Sequence, residues 1–444
     1  MNNFLHSFFL TRRTFVAGWA VVLLAVLGFV WPLFFALAQA ATVLLFAAVL
    51  IESVLLYRLR KGISAARNTS AKWSNGDENP VELVVTNRHG IAVNVKVLDE
   101  LPVQLQKRDL VFSGTVAPGE SLRFHYAVRP VQRGVYAYGA INVLVSTPLG
   151  LVERRYTEEA GREVAVYPSF LQLRKYELLA IHDRLTLAGV KRVRRLATHA
   201  EFDRIKEYIP GDDRRSVNWK ATARRGRMMV NVYQDEKAQQ VFSLIDMGRT
   251  MRMPFNGLSL LDHAINASLV LGDIALRKDD RAGLITFSKK VHSSLRAGKD
   301  RGQMLRILET LYGQRTDHAE SDIEQLYIEV ERNIHQRSLL LLFTNFESVS
   351  ALHRQLPHLR RLARKHLLIV VFFRNTELEQ ALSTPARDAV EVYNRTITEK
   401  YVHEKRLVAK ELERHGIGSL LVRPEELTVN VINRYLEIKA RGQL

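Results

Sequence analysis

The hydrophobic pattern changes character along the chain, and each change predicts a different kind of structure. Between Arg13 and Glu52 there is no Asp, Glu, Lys or Arg. A single helix of that length would run ~57 Å, nearly twice the ~30 Å apolar core of a bilayer. Two membrane spans within residues 14–57, turning near Pro32 to Gln39, fit better. Arg12 and Arg13 precede the segment and Arg58, Arg60, Lys61 and Arg67 follow it, so the positive-inside rule puts both ends in the cytoplasm. A rival reading takes Thr11-Arg12-Arg13-Thr14-Phe15 as a twin-arginine export signal, with cleavage near Ala38. Such a product would begin with a second apolar span, which argues against it.

From residue 68 to 170 the rhythm becomes two. VELVVTN, VNVKVLDELP, SLRFHYAV, GAINVLVSTPLG and REVAVYP are short β-branched or aromatic runs, broken at Asn75-Gly76, Pro118-Gly119 and Arg133-Gly134. This spacing predicts a small antiparallel β-sandwich, immunoglobulin-like in shape. Its His89 and His125 have no metal-type partner at close spacing and read as ordinary residues. Residues 171–200 predict a helical linker ending in the basic run KRVRR, and 171–239 as a whole connects two domains.

From residue 240 to the end, apolar strands alternate with amphipathic helices. VFSLID (241–246) and RAGLITFS (281–288) are buried-type strands, with helices at 260–278 and 302–312 between and after them. A helix from Ser321, the strand SLLLLFTNF, the helix HRQLPHLRRLARK and the strand HLLIVVFF follow. A long helix to about Arg414, the strand GSLLVR and a last helix complete the series. The expected fold class is therefore α/β, doubly wound on a mainly parallel sheet. Functional groups in such folds gather at the carboxyl ends of the strands, which here carry Asp246, Ser288 and Thr344.

Composition narrows the chemistry. With no cysteine, the chain has no disulfide, thiolate metal site or thiol nucleophile. The 64 basic and 46 acidic residues leave a formal charge of +18, which favours anionic partners without choosing among proteins, membranes and nucleic acid. There is no GxxxxGK[ST], HExxH or GxSxG sequence, so no catalytic residue is named. Basic runs here lack an interleaved aromatic platform, and nucleic acid is not the expected partner.

Charge is densest in residues 201–236, EFDRIKEYIPGDDRRSVNWKATARRGRMMVNVYQDE. Pro210-Gly211 sets a tight bend, and Asp212 and Asp213 suit its far side because their side chains bond nearby backbone N–H groups. Arg214 and Arg215 offer planar forks for carboxylates. Trp219 and Asp213 are expected to form an internal brace, the Trp219 ring buried, while Arg214 and Lys220 face outward to an acidic partner.

The stretch EYIPGDDRRSVNWKATARRG resembles the hallmark of bacterial domain of unknown function 58, a family of von Willebrand A-like membrane proteins. That resemblance implies a membrane-anchored adaptor in the bacterial inner membrane, working with a MoxR-type AAA+ ATPase in assembly or stress tolerance. It also implies a place for a divalent cation, which A-domains bind through Asp-x-Ser-x-Ser. Here the corresponding residues are Asp246-Met247-Gly248-Arg249-Thr250, so Asp246 and Thr250 match and Gly248 lacks a hydroxyl. Ser321 is placed to supply the second-loop hydroxyl, and Thr344-Asn345 stands where a second carboxylate is usual. A helix capping box with Glu324 is an equally adequate reason for Ser321. Mg²⁺ wants hard oxygen ligands, and this set is short of them, so no cofactor is expected. Two other functions remain open: an enzyme using a strand-end cleft around Asp246, and nucleic-acid binding through the basic helices.

Overall fold

The computed structural model describes residues 6–107, 110–169, 201–210, 212, 214–234, 238–376, 378, 382 and 388–443. It divides into two compact units, Met1–Tyr167 and Pro168–Leu444. The expected linker helix (171–200) falls outside the described residues.

The first unit opens with two apolar helices, α1 (Arg12–Leu27) and α2 (Pro32–Tyr57), packed against one another. Their turn lies at 28–31, ahead of the expected position. Pro32 begins α2 rather than breaking the chain because the first helical position needs no N–H and favours proline's fixed φ. Large apolar side chains such as Phe15, Trp19, Leu33, Leu44 and Phe46 are exposed around both helices, as a lipid-facing surface requires. The 26-residue α2 is long and apolar enough to cross a membrane; α1, with 16 residues, is shorter.

The strands that flank and follow this pair are β1 (Phe8–Leu10), β2 (Ile63–Thr69), β3 (Lys72–Ser74), β4 (Asn79–Asn87), β5 (Val93–Asp99), β6 (Val111–Val116), β7 (Ser121–Val128), β8 (Gly134–Tyr138), β9 (Ile141–Ser146), β10 (Val152–Glu158) and β11 (Arg162–Tyr167). They form sheets in the orders β1-β10-β9-β5-β6, β2-β4-β7 and β3-β11-β8, antiparallel except where β3 runs with β11. In β4 and β5 every second residue is buried, the signature that makes these strands legible. β2, β3, β6, β8 and β10 are not among the runs read from the sequence; in β2 and β10, Arg67 and Arg154 interrupt the alternation. Both arginines are buried for a reason. Arg67 pairs with Asp99, which also accepts from the Tyr126 hydroxyl (2.5 Å). Arg154 donates to the carbonyls of Leu56 (2.5 Å) and Leu59 (2.8 Å), at the end of α2. His89, ordinary in the sequence, is buried against the Tyr156 hydroxyl (3.1 Å). Its pKa is lowered, first by burial and then by Arg154.

The β9–β10 turn is gripped from both helices. Glu52, buried in α2, accepts the N–H groups of Gly150 (3.0 Å), Leu151 (2.8 Å) and Val152 (2.8 Å) and the Thr147 hydroxyl. From the start of α1, the Thr11 hydroxyl donates to Gly150 O (2.6 Å) and Arg13 to Leu149 O (2.9 Å). The start of α1 and the end of α2 therefore meet the same turn, on one side of the helical pair.

Among the described residues, the first sheet of the second unit is a two-stranded antiparallel ribbon, β12 (Glu201–Glu207) with β13 (Met229–Gln234), and the short helix α3 (Trp219–Arg225) lies between them in the chain. A six-stranded sheet follows, in the order β18-β17-β14-β19-β20-β21: β14 (Gln240–Asp246), β17 (Arg281–Phe287), β18 (Val291–Gly298), β19 (Leu339–Phe343), β20 (Leu367–Phe373) and β21 (Gly418–Val422). The minimal hairpin β15 (Pro254–Phe255) and β16 (Leu258–Ser259) leads out of β14. All pairings within the six-stranded sheet are parallel except β17 with β18. The edge strand β18 is absent from the sequence reading; its polar His292, Ser294 and Arg296 hide it in a simple apolar scan. Alternate residues of β14 enter two cores. Val241 and Ile245 pack beneath α4 (Leu260–Arg277), α5 (Gln303–Tyr312) and α9 (Leu427–Ala440). Phe242 and Leu244 pack beneath α6 (Ile323–Asn333), α7 (Val349–Lys365) and α8 (Ala389–Arg414). Each such fully buried side chain stabilises by about 1.5–3 kcal/mol. The molecule is thus mixed α/β with several sheets, and the strands of its parallel sheet end together at one edge.

Replacing Glu52 with Ala should lower stability by roughly 3–5 kcal/mol, since three turn N–H groups lose a charged acceptor in a buried place. Thermal melts of the full chain in detergent would read this, and an unshifted midpoint would show that the carboxylate is not needed to hold the turn.

Candidate functional site

At the carboxyl edge of the parallel sheet, Asp246 ends β14 and is 1% exposed. One carboxylate oxygen accepts the Ser321 hydroxyl (2.5 Å) and the Gly248 N–H (2.8 Å), and the other accepts the Thr344 hydroxyl (2.6 Å). Burial raises its pKa, and these three donors offset part of that rise. A carboxyl raised in the fold contributes most below its ordinary value and loses that contribution as pH rises, so the donors limit the cost of the charged form.

Ser321 does not open a helix in a capping box with Glu324. Instead α6 starts at Ile323 and is capped by Asp322, whose side chain accepts the Glu324 N–H (2.9 Å). This frees Ser321 for Asp246. Gly248 is what lets it approach: a Cβ there would collide with the Ser321 hydroxyl. Thr250 enters by its backbone, its carbonyl accepting from Asn345 Nδ2 (3.4 Å).

Asn345, next to Thr344, faces a buried cation. Lys405 of α8 donates to Asn345 Oδ1 and to Phe373 O (3.0 Å). Burial lowers its pKa to about 8, with Glu347 acting the other way. The cavity beside it, lined in part by Phe255, Asn345, Tyr401 and Lys405, has room for about one water at most. The sequence reading does not single out Lys405, although it sits as a lysine on the stripe Tyr401, Lys405, Val408, Leu412 of an amphipathic helix.

A second cluster includes another strand-end residue. Ser288 donates to Asp317, and His292 Nε2 meets both Ser288 Oγ (2.9 Å) and Asp317 Oδ2 (3.3 Å). A serine–histidine–aspartate relay needs the acid and the hydroxyl on opposite ring nitrogens. Here both use the same nitrogen, so the trio cannot relay a proton in that way. Burial would raise the Asp317 pKa, but bonds from Ser288, Ala319 N–H and His292 bring it below the ordinary value.

The charged stretch forms the β12–β13 ribbon and α3. Asn218 caps α3 by accepting Ala221 N–H (2.9 Å), and its amide reaches Asn231 (2.9 Å) on the ribbon. The Thr222 hydroxyl accepts Met229 N–H (3.0 Å), and Gly226, at φ 64°, supplies the left-handed residue that ends the helix. Asp212 pairs with Lys206 (2.8 Å) and accepts Ile209 N–H (3.0 Å), both of which lower its pKa. Arg214 and Lys220 are exposed. Trp219 is not the buried brace expected: it is 72% exposed. Asp213 and the Arg215 side chain lie outside the described residues. Arg224 and Arg225, not singled out in the sequence, line a cavity beside α3.

The Lys405 ammonium sets a pH dependence that can be measured. Its folded pKa of about 8 lies below the ordinary 10.5, so between these values the unfolded chain binds more protons and stability rises with pH. The slope is at most about 1.4 kcal/mol per pH unit. In Lys405→Met that rise should disappear relative to the parent chain; equal slopes in both would remove the buried ammonium from the account.

YeaD of Bacillus subtilis (strain 168), an uncharacterized protein, is 24% identical over 253 residues, 52% of this chain and 61% of YeaD, so less than two thirds of that relative is spanned. Among solved structures, BatB from Bacteroides thetaiotaomicron aligns at TM-score 0.32 and 13% identity, over 46% of this chain and 100% of its own. An aerotolerance-related membrane protein from Bacteroides fragilis aligns at 0.28 and 12%, with the same coverage. Residues 204–405 match the family described as protein of unknown function DUF58. The ribbon from Arg204 onward, the Asp246 cluster and Lys405 all fall inside that matched segment.

Proposed function

We propose that the protein is a membrane-anchored adaptor, presenting a von Willebrand A-like domain (residues 240–444) on the cytoplasmic face of the bacterial inner membrane. Its partner in this reading is a MoxR-type AAA+ ATPase, as the family resemblance implies. Two helices within residues 14–57 form the anchor, residues 68–170 a β-sandwich, and 171–239 the connection with the ribbon.

The carrying observation is the contrast between the two candidate sites. At the strand edge the polar groups are used up on one another, around Asp246 and around Lys405. On the ribbon, Trp219, Lys220 and Arg214 are turned outward. Enzymes keep reactive groups in an accessible cleft, while interaction surfaces present exposed aromatic and cationic anchors. That contrast favours binding over catalysis.

The strand edge also does not fit a divalent cation. Gly248 brings no hydroxyl, and the Asn345 carbonyl oxygen is held by an ammonium. Among the described residues no three of His, Cys, Asp and Glu gather as ligands. Millimolar Mg²⁺ is therefore expected to leave the melting temperature unchanged; a rise of several degrees, lost in Asp246→Ala, would restore the cation site.

The adaptor reading is tested by crosslinking in intact membranes, followed by purification and mass spectrometry. An AAA+ ATPase should be the recurrent partner, and a reporter fused after Leu444 should be active only in the cytoplasm. Recovery of no ATPase, or an external carboxyl-terminal reporter, would defeat the proposal.

A further inference from the structure

We propose that the β12–β13 ribbon carries a pocket for acidic side chains of a partner protein, with Arg224 and Arg225 holding the carboxylate and Ile205 and Met229 forming an apolar floor. This rests on the adaptor reading for the nature of the ligand, and adds the place and chemistry of capture. The cavity measures about 290 Å³, and its described lining is Ile205, Asn218, Lys220, Ala221, Arg224, Arg225 and Met229. Three of these are cations and none is an acid.

The clustering of those cations is not explained by the fold. Arg224 and Arg225 stand in the last turn of α3, where the helix dipole favours positive charge. Lys220 stands in the first turn, where it does not. Lys220 and Arg224 are also four apart, a like-charge spacing that destabilises a helix by about 0.2–0.5 kcal/mol. Two neighbouring cations are matched, Lys206 by Asp212 and Arg227 by Glu207. Among the described residues no acid pairs with these three cations, and an anion entering the cavity would supply that counter-charge.

The floor selects among anions. Ile205, Ala221 and Met229 offer methyl and methylene surface, suited to the aliphatic stem of glutamate while its carboxylate meets the planar guanidinium forks. A free phosphate has no stem to bury there. A nucleic-acid strand needs a groove several nucleotides long with stacking platforms along it, and this cavity holds one or two side chains. The lining is also held in place before binding, because Asn218 and Thr222 tie α3 to β13 through Asn231 and Met229. Trp219, exposed on the same helix, is positioned as an aromatic contact outside the pocket.

The test measures anisotropy of a fluorescein-labelled peptide of alternating glutamate and leucine, titrated with the full chain in detergent at physiological salt. Arg224→Glu should weaken binding about tenfold or more, as for loss of one charge-assisted contact with reversal of its field. Ala221→Phe, which fills the cavity and keeps every charge, should weaken it similarly. Arg227→Glu, on the same ribbon but outside the lining, should change it less than about twofold. Equal losses for Arg224→Glu and Arg227→Glu, or unchanged binding in Ala221→Phe, would reduce the effect to diffuse charge and overturn the pocket. Displacement of the peptide by an equal concentration of oligothymidylate would overturn it in favour of nucleic acid, and displacement by equimolar inorganic phosphate in favour of a phosphate site. If crosslinking still retrieves the ATPase from Ala221→Phe membranes, the pocket fails while the adaptor reading stands; if the parent chain retrieves none, the adaptor reading fails by itself.

Discussion

The arrangement of the α/β unit's functional edge depends on one buried carboxylate. Asp246 ends the central strand β14, and its two oxygens collect donors from three separate connections: Gly248 after β14, Ser321 before α6 and Thr344 after β19. An unpaired carboxylate so deep would cost several kcal/mol, so the loops are held to it as strongly as it is held by them. Gly248 is part of the same constraint, since a side chain there would take the space of the Ser321 hydroxyl. The result is an edge that is ordered but chemically occupied.

A second buried acid has the corresponding part in the first unit. Glu52 lies towards the end of a helix whose other faces are largely apolar and exposed, yet its carboxylate is capped by the β9–β10 turn. Arg154 answers from β10 by taking the last carbonyls of α2. Helix and sheet thereby satisfy each other's orphan backbone groups, the condition for burying a helix end without loss. Thr11 and Arg13 bring the start of α1 to the same turn. The helical pair is thus joined to the sheets by directional bonds rather than by a flexible tether.

The ribbon follows a different logic. Two strands and a seven-residue helix bury little, and the hydrogen bonds of Asn218 and Thr222 fix α3 across β13. What remains outward, among the described residues, is an aromatic ring and an excess of positive charge. The contrast between a closed strand edge and an open ribbon is what the proposed adaptor role rests on.

The sequence alone determined the periodic parts. An uncharged run, period-two strands such as β4 and β5, and alternating apolar strands and amphipathic helices from 240 onward were legible because burial there follows local spacing. The family hallmark was equally legible in residues 207–226. Elements whose pattern is broken by buried charge, such as β2 with Arg67 and β10 with Arg154, were not, because the partners that justify those charges are distant in the chain. The same holds at the site. Asp246 and Ser321 stand out in the sequence, yet whether Ser321 caps a helix or meets Asp246 was settled only when the fold brought positions 75 residues apart to 2.5 Å. Lys405 acquired meaning only from Asn345, and Trp219, a large ring that composition alone would bury, is exposed in the folded chain. Local periodicity is a property of consecutive residues; charge satisfaction and exposure belong to the packed chain, and only tertiary structure decides them.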